Sequence, residues 1–262
     1  MAAALVLPTY NERENAGDLI EQILSLNLAI DIIVVDDSSP DGTGELVDKI
    51  AARNPRVHVI HRPCRQGLGT AHVAGMRYAF ALKADPILTM DADFSHHPSF
   101  ISALLARSRT HHVVIGSRYV PQGSLLRWGL ARRALSKTAN LFAHLALGLA
   151  ARDCTSGFRC YRRAALESLD LDRMFSNGYS FLLEILFKCT KLGYRVTEVP
   201  IVFENRRRGK SKISSREMFR ALWTVARLTV DRARYRLFPR AVREIAAPRL
   251  RLHPGRERPW SK

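Results

Sequence analysis

Cysteine is scarce and unpatterned. Cys64, Cys154, Cys160 and Cys189 are the four in the chain, with no C-x-x-C spacing and no matching His pair. That argues against a zinc site and against a disulfide framework, and leaves four reduced thiols as the plain expectation. Long apolar runs are missing too: none reaches the roughly 18 residues that mark a membrane span. No basic segment precedes an apolar core at the start of the chain, so no signal peptide is expected. Internal repeats and low-complexity segments are absent. Acid is in short supply, with 24 Asp and Glu against 41 Lys and Arg, a net charge of +17. A balance so basic admits nucleic acid, an anionic membrane surface or a phosphorylated substrate as partner. Arg and Lys crowd the final third, whereas the adjacent pair Asp36-Asp37 lies in the first and Asp91 and Asp93 just beyond it.

What is present is a regular alternation. The 262 residues suffice for one large α/β domain, or a domain with an appendage. Apolar runs at 3–7, 30–35, 57–60, 86–90 and 113–115 read as strands, with Pro8 ending the first. Helices are expected at about 14–26 (capped by Asn11 or Thr9), 43–52, 66–83 and 98–107, joined by turn chemistry such as Ser38-Ser39-Pro40-Asp41-Gly42. Strand and helix alternating over short joins predict a mostly parallel sheet flanked by helices, with ligands bound beyond the carboxyl ends of its strands. Three polar clusters fall at such ends: Pro8 to Glu12, Asp36-Asp37, and Asp91 to Asp93.

Later segments are expected as a helix over 132–149 with an apolar face (Leu135, Leu141, Phe142, Leu145, Leu149), a compact polar stretch over 153–163, and an apolar helix over 179–192 carrying Glu184. A strand over 196–203 and a last helix over 214–234 follow. Glu184 either orders Arg159 or another basic neighbour, or faces the site. The expected division is a main domain over 1–235 and a basic, poorly ordered tail over 236–262.

Met90-Asp91-Ala92-Asp93-Phe94-Ser95-His96-His97-Pro98 is the stretch with the most chemistry. In an extended chain Asp91 and Asp93 would share a face, about 6–7 Å apart. Paired carboxylates at a strand end suit a hard cation, Mg²⁺ or Mn²⁺, that shares its shell with substrate phosphates; an acidic turn capping the next helix is the bland alternative. His96 and His97 are read as shaping the turn. Gly67-Leu68-Gly69 allows close approach to a phosphate, though packing explains it as well.

The ordered motifs carry a resemblance. They are Leu-Pro-Thr-Tyr-Asn-Glu at 7–12, Asp-Asp-Ser-Ser-Pro-Asp-Gly at 36–42, Gly-Leu-Gly-Thr-Ala at 67–71, the 90–98 stretch, Gly-Ser-Arg-Tyr at 116–119, Ser-Gly-Phe-Arg at 156–159 and Gly-Lys-Ser-Lys at 209–212. Over about 1–230 the chain resembles GT-A (Rossmann-like) glycosyltransferases of family 2, among them the dolichol-phosphate (polyprenol-phosphate) mannosyltransferases. The resemblance implies inverting transfer of mannose from GDP-mannose to a polyprenyl phosphate. It implies that Asp91 and Asp93, with Ser95 where some relatives have Gln, hold Mg²⁺ or Mn²⁺, and that the Ala92 backbone touches the donor. It places Pro8, Tyr10, Glu12, Val35 and Asp37 around the nucleotide; Asp36 is read instead as a structural cap. Arg118 and Arg132 become acceptor-phosphate arginines, Arg118 also reaching the donor, and Arg206 and Lys212 belong to a basic loop over the diphosphate. The acceptor is already ionised, so no catalytic His is required.

The last helix sets Met218, Phe219, Leu222, Val225, Ala226 and Thr229 among Arg216, Arg220, Arg227, Arg232 and Arg234. That pattern suits either a helix on an anionic bilayer or one packed on its own domain. The expectation is a peripheral protein at the cytoplasmic face of a membrane, meeting its lipid directly or through a separate membrane-anchoring protein. Two rivals stand beside it. One keeps the fold and uses UDP-glucose. The other is a basic nucleic-acid-binding module, which would need stacking aromatics among its cations; only Trp223 and Tyr235 approach that, so no nucleic acid is expected.

Overall fold

The computed structural model describes residues 2–178, 180–205 and 215–237. Its centre is a seven-stranded sheet. The strands are β1 (Ala3–Thr9), β2 (Ile30–Asp36), β3 (Val57–His61), β4 (Ile87–Thr89), β5 (Val113–Ser117), β7 (Arg159–Tyr161) and β8 (Val196–Pro200), in the order β3-β2-β1-β4-β7-β5-β8. β7 runs antiparallel to both of its neighbours; the other pairings are parallel. β6 (Ser124–Leu125) and β9 (Val202–Phe203) form a small second sheet. The helices are α1 (Arg13–Ser25), α2 (Thr43–Ala51), α3 (Leu68–Ala81), α4 (Ile101–Ser108), α5 (Leu130–Leu147), α6 (Arg163–Glu167), α7 (Ser180–Lys191) and α8 (Ser215–Leu237). The mostly parallel α/β architecture expected from the alternation is therefore present.

The central strands are buried on both faces, which is why they read as continuous apolar runs. Ala4 and Val6 of β1, with Ile33 and Val35 of β2, face a core built with α3 and α7. Leu5, Leu7, Ile32 and Val34 face the opposite core, with Leu19, Ile20 and Ile23 of α1. Helix α3 lies close to the sheet at Gly75, where a Cβ would come within 2.3 Å of Val6 Cγ1.

Several local expectations are corrected. Pro8 does not end β1; it pairs with Val35, and its missing N–H is harmless because β4 pairs with β1 no further than Val6. Neither Asn11 nor Thr9 caps α1. Asn11 takes a left-handed φ of 53°, and Thr9 donates instead to Asp36. The cap comes from a distant loop: Arg13 N donates to Asp41 Oδ2 at 3.1 Å. β7 lies within the stretch expected to be merely compact and polar. The strand expected over 196–203 breaks at Ile201 and continues as β9 in the smaller sheet.

The apolar face expected on α5 is largely uncovered. Leu135, Leu141, Phe142 and Leu145 are exposed, and Asn140, Ala143 and Leu147 are buried in their place. On α8 the expected stripe splits: Val225 joins the core beside Leu228, while Phe219 and Leu222 are exposed. α8 reaches Leu237, two residues past the expected boundary, and the rest of the expected tail lies outside the described residues.

Candidate active site

The carboxyl ends of β1, β2 and β4 open into one cleft of about 1160 Å³. The parallel registers put these ends side by side, so the three polar clusters meet there. Pro8, Tyr10, Glu12, Asp37, Asp91, Ala92, Asp93, Ser95, Arg118 and Arg132 all line this cleft. Val35 does not. Its side chain is fully buried in the core under α3, so any contact it makes with a ligand is through backbone. Arg206 and Lys212 lie outside the described residues.

β4 stops at Thr89, so Asp91 and Asp93 stand on a loop beyond the strand rather than in extended chain. The loop turns at Phe94, whose φ is 61°. Asp93 is buried and its Oδ1 accepts the Ser95 N–H at 3.0 Å; Asp91 is the more open of the two. Gly157 faces Asp91 closely, since a Cβ there would sit 3.1 Å from Oδ2. That contact gives the Ser-Gly-Phe-Arg motif its glycine. Ser95 Oγ is buried with no hydrogen-bond partner. Among the described residues no group of three or more His, Cys, Asp or Glu could hold an ion. Two carboxylates and one unpartnered hydroxyl fit a hard divalent cation that takes its remaining ligands from a phosphate and water.

His96 is sealed behind this loop. It packs between Phe158 and Phe203, with ring centroids 5.3 Å and 5.0 Å away, and its Nδ1 lies 3.8 Å from Asp91 Oδ2. Burial pushes its pKa down to about 4. His97 Nδ1 accepts the Ser99 N–H at the start of the 3-10 turn over Pro98–Phe100. Both histidines therefore build the turn, as expected.

The nucleotide-side residues are tied into the fold. Asp36 accepts from Thr9 Oγ1, Ser39 N and Ser39 Oγ, so it is structural. Asp37 accepts the Gly67 N–H at 3.1 Å and sits 2.8 Å from Arg62 Nη1. Burial holds its carboxyl above the usual range, against the pull of Arg62. The Arg65 guanidinium lies 4.4 Å from the centre of the Tyr10 ring, covering one face. Neither Arg62 nor Arg65 was singled out in the sequence; both follow the third strand, where no acidic signal draws attention.

Arg118 is held more tightly than its sequence context suggests. Asp153, fully buried, accepts its backbone N–H at 3.0 Å, Nε at 2.7 Å and Nη2 at 2.6 Å, and Nη2 also reaches Thr155 Oγ1. Burial would raise the Asp153 carboxyl, but this fork holds it below the usual range. Arg132 lies in the first turn of α5, stacks 3.9 Å from the centre of the Trp128 ring, and donates to Asn205 Oδ1 at 2.8 Å. Arg159 is an internal strut. Its guanidinium donates to the carbonyls of Ser156, Leu182 and Cys154.

Residues 4–170 match the family described as glycosyl transferase family 2. An undecaprenyl-phosphate mannosyltransferase of Micrococcus luteus is 40% identical over 87% of this chain and 93% of its own length. A polyprenol monophosphomannose synthase of Mycolicibacterium smegmatis is 42% identical over 88% and 89%. In fold, the chain is similar to mannosyl-3-phosphoglycerate synthase from Rubrobacter xylanophilus, with a TM-score of 0.63 at 22% identity over 92% of this chain and 76% of that one. It is also similar to a mannosyltransferase from Pyrobaculum calidifontis, solved with GDP-Man and Mn²⁺, with a TM-score of 0.55 at 17% identity over 94% and 77%. The motifs, the sheet with its cleft and these likenesses agree: the chain is a glycosyltransferase and belongs to glycosyl transferase family 2.

Proposed function

We propose that this chain, as one GT-A domain, transfers mannose from GDP-mannose to a polyprenyl phosphate with inversion at the anomeric carbon. An oxygen of the acceptor phosphate attacks that carbon, the bond to the diphosphate breaks, and GDP leaves. The observation that carries the reading is one cleft lined by Asp91 and Asp93 together with Arg118 and Arg132. Acidic and basic groups together suit a reaction that brings one anion against another. Support also comes from two relatives, each matching most of its own length, that are named for mannosyl transfer to a polyprenyl phosphate.

Asp91 and Asp93, with Ser95, would hold Mg²⁺ or Mn²⁺. The ion would offset negative charge developing on the leaving diphosphate. Arg132, at the mouth of the cleft, would guide the acceptor phosphate, since a planar fork matches phosphate oxygens. Arg118, fixed by Asp153, would present a stationary positive field to donor and acceptor alike. No side chain has to remove a proton from an acceptor that is already ionised, and His96, buried and neutral near pH 7, is not arranged to do so.

The lipid's approach is supported by what α5 and α8 leave uncovered. Leu130 is 83% exposed, Leu145 64%, Phe219 73% and Trp223 65%, and the two helices pack against each other. Arginines punctuate both. Apolar side chains framed by cations suit contact with an anionic bilayer surface. No helix among the described residues is long and apolar enough to cross a membrane.

The experiment is a donor screen. Purified protein, polyprenyl phosphate and Mg²⁺ or Mn²⁺ are incubated with radiolabelled GDP-mannose or UDP-glucose, and lipid-soluble label is counted. Transfer from GDP-mannose is expected; transfer from UDP-glucose alone would replace the sugar in this reading.

A further inference from the structure

Glu184 is wholly buried in the apolar helix α7, and the reaction described above gives it no part. Its bonds do not run to Arg159, which donates to backbone carbonyls. They run to a short segment ahead of α7. Glu184 Oε2 accepts the Ser176 N–H at 2.9 Å and the Ser176 hydroxyl, and Oε1 accepts the Phe175 N–H at 3.4 Å. Lys188, one turn on, lies 2.6 Å from Oε1. The carboxylate therefore clamps the two residues before Asn177.

Asn177 and Gly178 are part of the cleft wall. Asn177 Oδ1 accepts the Gly178 N–H at 2.8 Å, and Nδ2 lies 3.4 Å from the Gln66 carbonyl oxygen. The amide sits against the start of α3: a Cβ built on Gly67 or Gly69 would come within 3.0 Å or 3.2 Å of Oδ1. Gly67 is also the residue whose N–H is bonded to Asp37. One loop is thus held by Asp37 on one side and faced by Asn177 on the other. Burying a carboxylate costs several kcal/mol before its partners offset it, and an apolar side chain would pack α7 without that cost. What Glu184 adds is a fixed position for residues 175–178.

We propose that Glu184 is a positioning residue of the donor site, and that the residue it positions, Asn177, contacts the bound sugar nucleotide. The inference rests on the reading that the donor occupies this cleft. An amide offers donors and an acceptor on one small group, which suits sugar hydroxyls and phosphate oxygens. The Nδ2 bond to Gln66 is long enough to yield to a ligand.

The test compares Asn177→Ala, Ser176→Ala, Glu184→Gln and Glu184→Ala as full-length proteins. KM for GDP-mannose, KM for polyprenyl phosphate, kcat and Tm are measured for each. Asn177→Ala is expected to raise the donor KM about tenfold, the loss of roughly one good hydrogen bond, with acceptor KM and Tm unchanged. Glu184→Ala is expected to raise it as much, and Glu184→Gln less, because Gln keeps an oxygen for Ser176. Ser176→Ala removes one hydroxyl only and carries the test if Glu184→Ala does not fold; a smaller rise in donor KM is expected. An unchanged donor KM in folded Asn177→Ala and Ser176→Ala, beside a working wild type, overturns the proposal alone. Equal rises in both KM values overturn it as well. A wild type that turned over no GDP-mannose would strike the reading of the reaction, and this proposal with it.

Discussion

Arg132 and Arg118 look alike in the sequence and differ in place. Arg118 is locked to Asp153, whereas Arg132 is exposed at the cleft mouth with an aromatic face and an amide as neighbours. Arg132→Ala should therefore raise KM for the acceptor by about 10–100-fold, the range of a hydrogen bond to a charged group, with little change in donor KM. Equal effects on both would count against an acceptor role. Asp153→Ala should act on stability first. Breaking a buried pair from one side costs about 3–5 kcal/mol, which chemical denaturation would read. His72 shows the acid-sensitive side of the core. Both of its ring nitrogens are buried without partners, and burial, with Arg159 near, pushes its pKa from 6.5 down to about 3. Below pH 6.5 the unfolded chain takes up a proton that the folded chain refuses, so stability falls as pH falls. At about pH 5 the penalty is roughly 2 kcal/mol, and His72→Leu should flatten that slope in a denaturation series.

Among the elements, strands were the more legible. β1 and β2 are apolar runs whose limits moved by a residue or two, because burial on both faces leaves little choice of composition; the edge strand β3 is only partly buried and moved by one residue. Turn signals were also sound where they were local, as at Gly42, whose left-handed φ of 80° starts α2. What could not be read was anything fixed from far away. The cap of α1 comes from Asp41, β7 is held between β4 and β5, and Arg118 depends on an aspartate in a stretch with no periodicity. The face of α5 was read as apolar correctly, but periodicity does not say what covers a face. Leu141 and Leu145 are left more than half exposed. Replacing both with Ser should leave Tm nearly unchanged, since exposed side chains contribute little to folding, and should weaken co-sedimentation with anionic lipid vesicles. Undiminished sedimentation would remove α5 from the proposed membrane contact.

At the scale of the whole molecule, one sheet brings together groups that the chain keeps far apart. Pro8 and Arg132 line one cleft because β1, β2 and β4 end at one edge and α5 contributes to the lining there. Much of the cleft lining was legible because its residues cluster after strands and share a family's order. Val35 was the exception: sequence proximity to Asp37 does not reveal that its side chain points into the core. Under the proposed reaction the basic surplus has a use at the same scale, around a cleft that would admit two anions and beside helices that would meet an anionic surface. The most direct test of the central claim is mannose transfer from GDP-mannose, followed as Mn²⁺ is added back to fully chelated protein, for wild type and Asp93→Ala. The wild type should be silent without metal and recover with a saturable dependence on Mn²⁺, while Asp93→Ala keeps its Tm and stays silent throughout. Full turnover in the chelated wild type, or full recovery by Asp93→Ala, would contradict the account.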